Sequence, residues 1–193
     1  MQVASPVLGE QAPDATLAAV PGGSKVRLAA MWSAGPLVLV FLRQPGCPFC
    51  RQMLAQLRRA ARAFLARNAT VAVVLPVDVV AAQATVIAHA PPFVCLADPQ
   101  GAAYDLYGVR QGSLLQVAGP AVVAAGVQAI LRGHLPGLPR GDVWRLSAVF
   151  VIGSDGRVSY VHRARNAADN PSADRLLAAI DGLAAVRPRP ETP

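Results

Sequence analysis

Cysteine is scarce in this chain, with three in 193 residues, and lysine is scarcer still, Lys25 being the only one. Aromatic residues make up only 5% of the chain, which leaves few platforms on which bases could stack. The formal charge of +7 comes almost entirely from arginines spread along the chain, so no nucleic-acid partner is expected. No apolar run reads as reaching the ~18–20 residues that cross a bilayer, and no membrane association is expected. The opening residues, MQVASPVLGEQAPD, hold no basic residue and no continuous hydrophobic segment. They do not read as a signal peptide, and the expected location is cytoplasmic, where thiols stay mostly reduced. There is no G-x-S-x-G, no phosphate-binding glycine loop and no close carboxylate pair, which sets aside the hydrolase and nucleotide-binding classes those motifs serve. A structural zinc usually takes four ligands. Here a second CxxC is missing and His89, His134 and His162 stand alone in unlike contexts, so no metal and no other cofactor is expected.

What is present is an apolar chain, 53% hydrophobic, long enough for one domain with a sizeable core. That domain is expected over residues 1–186, with 187–193 a disordered tail. Asp14–Val20 and Lys25–Leu28 read as strands joined by the Pro21-Gly-Gly-Ser24 turn. Leu37–Leu42, bounded by Gly35-Pro36 and Pro45-Gly46, reads as a strand buried on both faces. Met53, Leu54, Leu57, Ala61, Phe64 and Leu65 recur at spacings of three and four. They predict a helix over Arg51–Arg67 with Arg51, Arg58 and Arg62 on its solvated side, stopped at Asn68. Val71–Leu75 predicts a strand, Val79–His89 a helix closed by Pro91-Pro92, and Phe93–Ala97 another strand. This alternation implies parallel pairing through right-handed crossovers. Pro120–Arg132 predicts a helix stopped at Gly133, and Gly133–Asp142 an irregular segment. Ala148–Ile152 and Arg157–Val161 predict a hairpin with Asp155-Gly156 at its turn, and Asn170-Pro171-Ser172 announces a last helix.

Two of the three cysteines stand in Gly46-Cys-Pro-Phe-Cys50, where the buried strand becomes a helix. Unpaired N–H groups at a helix start stabilise a thiolate, and a thiol there can fall from ~8.5 into the ~3.5–7.5 range. Residues three apart on a helical turn lie ~5–6 Å apart, close to disulfide reach. Cys47 and Cys50 are therefore the candidate catalytic residues, a redox pair in which one thiol attacks and the other resolves. Cys95, inside Phe93-Val-Cys-Leu96, reads as a small core hydrophobe. The histidines read as terminal or solvated residues.

These pieces resemble the peroxiredoxin-like branch of the AhpC/TSA family. The resemblance is carried by Ala12-Pro-Asp14, by Val38–Arg51 with its GCPFC, and by Leu96-Ala-Asp-Pro99 with Tyr107-Gly-Val109. Phe150–Gly156 and Asp169-Asn-Pro-Ser172 extend it, so that it runs from about residue 12 to 185. It implies an α/β thioredoxin-like fold, a central mixed sheet flanked by helices with an N-terminal β-hairpin extension. It further implies an antioxidant thiol oxidoreductase acting on a peroxide or disulfide. The electron donor would be a thiol such as a thioredoxin or a low-molecular-weight thiol. The family's peroxide-attacking cysteine falls on Cys50, with Cys47 in place of a threonine and Arg43 in place of a proline. Thioredoxins proper attack with the first cysteine, here Cys47, and carry a cis-proline where Ser147 stands. Arg145 is the nearest counterpart of a peroxiredoxin arginine. A disulfide reductase using Cys47, or a non-enzymatic redox sensor, are the alternative readings.

Overall fold

The strand β3, Leu37–Phe41, is buried along its whole length, and its alternation organises the molecule. Val38, Val40 and Leu42 point into one apolar cluster, while Leu37, Leu39 and Phe41 point into another on the opposite face. Side chains alternate across a strand, so a strand apolar at every position needs cover on both sides. Each such side chain stabilises the fold by about 1.5–3 kcal/mol relative to exposure. The computed structural model describes residues 5–89, 92–138 and 141–186. Pro91 of the expected helix stop and the expected tail, 187–193, lie outside the described residues.

In chain order the elements are β1 Thr16–Val20, β2 Lys25–Arg27, α1 Leu28–Ser33, β3 and α2 Pro48–Arg59. There follow α3 Ala61–Leu65, β4 Thr70–Leu75, α4 Val79–His89, β5 Val94–Ala97, α5 Ala102–Leu106 and α6 Leu114–Ala118. The chain continues with α7 Pro120–Leu131, β6 Ala148–Ile152, β7 Val158–Arg163 and α8 Ala173–Val186. The sheet runs β2-β1-β5-β4-β3-β6-β7. Strands β3, β4 and β5 pair in parallel, β6 lies antiparallel to β3, and the β1–β2 hairpin extends the far edge through β5. This is the mixed sheet with an N-terminal hairpin that the resemblance implied. Behind it, Phe41, Tyr104, Tyr107 and Phe150 pack with ring centroids 5.0–6.0 Å apart, and edge-on pairs of this kind add about 0.5–1.5 kcal/mol each.

Several sequence expectations are corrected. The helix expected over Arg51–Arg67 begins at Pro48 and breaks at Ala60, whose backbone (φ −88°, ψ 2°) leaves the helix and starts α3 on a new line. Phe64 stays buried, but Leu65 turns outward and is 76% exposed. Arg51 is half-buried rather than solvated. Asn68 does end the segment, in the left-handed region at φ 51°. Helices α1, α5 and α6 were not anticipated. Leu28, expected to end a strand, instead opens α1. The stretch Leu114–Leu131 also corrects the count of long apolar runs, since its 18 residues have a mean hydropathy of 1.8 and contain no charge. Gly119-Pro120 divides it into α6 and α7.

Candidate active site

Strand β3 delivers the chain to the cysteine turn. The Leu42 N–H still donates to Val74 O at 3.0 Å, and five residues later Cys47 N donates to Gln44 O at 3.3 Å, closing the turn. Cys47 is the N-cap of α2, extended at φ −73°, ψ 127°, and Pro48 takes the first helical position. Proline suits that place, because its missing N–H would have had no intrahelical partner and its φ is already helical. The first helical bond runs from Arg51 N to Cys47 O at 3.1 Å, which fixes Cys50 one position earlier, in the first turn. Both cysteines are free thiols, and they are 1% and 3% exposed.

A cover of main chain lies over this turn. Gly137 N donates to Gly46 O at 2.9 Å, and a Cβ at Gly46 would collide with the Leu138 carbonyl. Only glycine permits that approach. The Arg43 guanidinium bridges to the chain before β6, with Nη2 donating to Val143 O at 2.6 Å and Nη1 donating to Cys47 Sγ at 3.5 Å. Arg43 is 8% exposed, and its Nε has no hydrogen-bond partner. A buried cation needs an anion nearby, and the Cys47 sulfur is the group placed to supply it.

The electrostatics divide the two thiols. The Cys50 thiol donates to the Cys47 sulfur, and the Cys50 backbone N–H and the Arg43 charge add to that pull. Together they outweigh burial and bring Cys47 down to about 6. Cys50 moves the other way, well above its ordinary range, because it is the donor of that bond, is buried and faces the Cys47 charge. The family resemblance aligns the attacking thiol with Cys50, and the N-cap geometry gives the anionic character to Cys47. The physical reason is that one sulfur of a bonded pair must keep the proton, and Cys47 has the extra cation.

The remaining expected residues separate. Cys95 lies in β5 opposite Val20 and Val73, and burial alone pushes it to about 11. Ser147 precedes β6 and gives its hydroxyl to Asn170 Oδ1 at 2.8 Å; Asn170 Nδ2 lies 3.5 Å from Phe49 O, inside the CPFC turn. Arg145 is not at the cysteines. It pairs with Asp105 at 2.7 Å and stacks 5.2 Å above the Tyr104 ring, whose hydroxyl donates to Leu42 O and Val74 O. His162 packs against Asp169, and His134 follows α7. Among the described residues, no group of three or more His, Cys, Asp or Glu gathers as a metal-ligand set. The sequence reading missed the roles of Arg43, Val143 and Asn170. Only Asn170 carried a signal, within Asp169-Asn-Pro-Ser172.

A dithiol at the strand-to-helix turn of a thioredoxin-like sheet defines a thiol-based oxidoreductase. The chain belongs to the AhpC/TSA family, which it matches over residues 8–161. A peroxidoxin, BcpB, from Mycobacterium tuberculosis is similar in structure with a TM-score of 0.69 and 22% identity, covering 95% of this chain and 99% of that one. A putative thiol:disulfide interchange protein, DsbE, from Chlorobium tepidum gives a TM-score of 0.62 and 22% identity over 91% and 99% of the two chains. The reduced 2-Cys peroxiredoxin of Plasmodium vivax gives 0.67 and 19% identity over 92% and 82%. A search of curated proteins finds no match to the sequence.

Proposed function

We propose that this protein is a thiol-dependent peroxidase in which the Cys47 thiolate attacks and Cys50 resolves. The Cys47 sulfur attacks the terminal oxygen of a hydroperoxide, the O–O bond breaks, and the alkoxide leaves as alcohol after taking a proton. Cys47 becomes a sulfenic acid. The Cys50 thiol then attacks that sulfur, water leaves, and a Cys47–Cys50 disulfide remains. A thiol donor returns two electrons and two protons through a mixed disulfide. The observation that carries the assignment is the Cys47 sulfur at the helix N-cap, met by both the Cys50 thiol and Arg43 Nη1. Family membership favours the peroxide. A second substrate, a protein disulfide, is favoured by attack through the first cysteine of the pair and disfavoured by Ser147, which stands where a reductase carries its cis-proline.

The two single variants test the order of attack. Cys50→Ser should react once with hydrogen peroxide in stopped flow and stop as a sulfenic acid on Cys47 that dimedone traps, while Cys47→Ser should not react. Dimedone adduct on Cys50 in Cys47→Ser would return the attack to Cys50. In the oxidised wild type, mass mapping should find the Cys47–Cys50 linkage with Cys95 free.

A further inference from the structure

Helix α7 carries apolar residues on its outer side as well as its inner one. Val122, Gly126 and Ala129 recur at spacings of four and three and face inward, where Val122 and Ala129 are 7% and 1% exposed. Val123, Val127, Ile130 and Leu131 face solvent and are 57%, 52%, 40% and 81% exposed. On α6, Leu114 and Leu115 are 65% and 73% exposed. An amphipathic helix on a water-facing surface turns polar residues outward, and single exposed apolar residues are ordinary whereas a continuous face of them is not.

We infer that the α6–α7 face lies on an anionic lipid surface. Three observations select lipid over a protein partner. First, the stretch Leu114–Leu131 has a mean hydropathy of 1.8, no charged residue and only 17% of its residues buried, so it is not a core helix. Second, it offers almost nothing to hydrogen-bond. Gln116 is committed to Ser113 N and Arg165 O, which leaves Gln128, whereas protein interfaces carry about one hydrogen bond per 100–200 Å². Third, the charges that flank the stretch in sequence are basic, Arg110 and Arg132, both exposed. No Asp or Glu occurs between Asp105 and Asp142. Trp144, 42% exposed, stands at the edge, its carbonyl accepting Gly112 N at 2.7 Å, as amphipathic rings do at headgroup depth. With 12 residues, α7 spans about 18 Å against a hydrocarbon core of ~30 Å, so the helix lies along the surface and does not cross it. Beyond α7, Leu135 and Leu138 are also exposed, 59% and 80%.

Flotation of the full-length protein tests this with vesicles of phosphatidylcholine alone and of phosphatidylcholine with phosphatidylglycerol, two to one. Binding is expected to the anionic vesicles, weakening as salt rises. The double substitution Val127→Asp with Leu131→Asp, at exposed positions whose fold is checked by circular dichroism, should lower it more than about tenfold. Arg132→Gln should lower it about fivefold. Cys47→Ser should float as the wild type does, so the result is independent of the proposed chemistry. Absence of flotation with both vesicles overturns the inference, as does flotation untouched by the double substitution. A concentration-dependent dimer abolished by the same double substitution, without flotation, would assign the face to a second copy instead.

Discussion

Cys47 and Cys95 are buried to almost the same degree, 1% and 4% exposed, yet their acidities diverge to about 6 and about 11. Both thiols pay the desolvation penalty of a low-dielectric interior. The difference lies in what surrounds the sulfur. Cys95 stands mid-strand, where the backbone N–H groups are spent on the ladder and no cation is near. Cys47 stands at a helix start, with a thiol donor, an N–H and a guanidinium aimed at it. Burial makes a cysteine inert only where nothing answers its charge; with donors in place, the same dry surroundings strengthen them.

Exchanging the two cysteines' fates is the most severe test of that contrast. Cys47→Ser should abolish peroxide turnover to the background of the assay, a loss of at least about a thousandfold, whereas Cys95→Ala should stay within about twofold. Equal losses would erase the distinction. Removing the cation sharpens it next. Arg43→Met should raise the Cys47 pKa by about one unit or more, seen as a rightward shift in the pH profile of iodoacetamide alkylation and about a tenfold lower rate near pH 6. An unmoved profile would leave the Cys50 thiol as the whole cause. In the wild type, that alkylation should rise through pH about 6, while Cys95 should react only after denaturation.

Stability should follow the same chemistry. Cys47 has a folded-state pKa depressed from the ordinary 9.0 to about 6, so the folded state binds fewer protons than the unfolded state between those values. Its contribution is full above about pH 9 and is lost as pH falls through about 6. The reduced wild type should therefore gain thermal stability from pH 6 to 8.5, on the order of 1–3 kcal/mol. Above pH 9 the raised Cys50 works against it. Cys47→Ser should lose this slope in thermal melts. The smallest effect belongs to Asn170→Ala, which removes the link between Ser147 and the CPFC turn. It should reduce stability by about 1 kcal/mol in urea titration and leave the alkylation midpoint in place.

The buried strands and the long helices were legible because their signals are local. Leu37–Leu42 is a continuous apolar run fenced by Gly and Pro, and Val79–His89 and Pro120–Arg132 carry stops of the same kind. The short helices α5 and α6 were not, because five residues are too few to show an apolar period. In α5 the first N–H groups are held by the Asp98 carboxylate, which accepts from Ala102, Ala103 and Tyr104. The break at Ala60 leaves no mark in a periodicity that runs on through Phe64. The dithiol was legible as a pair, by its place between strand and helix. The place of Arg43 beside it was not, since Arg43 acquires its role by meeting a carbonyl one hundred positions later, at Val143.

The contact between Gly46 and Gly137 bears on how this site tolerates change. Peptide groups meet there, joined by the bond from Gly137 N to Gly46 O. Leu135 and Leu138 turn away from it into solvent. Those two side chains can therefore be rewritten while the peptide contact keeps its shape. Gly46 is the position where that freedom ends, because a Cβ there meets backbone carbonyls.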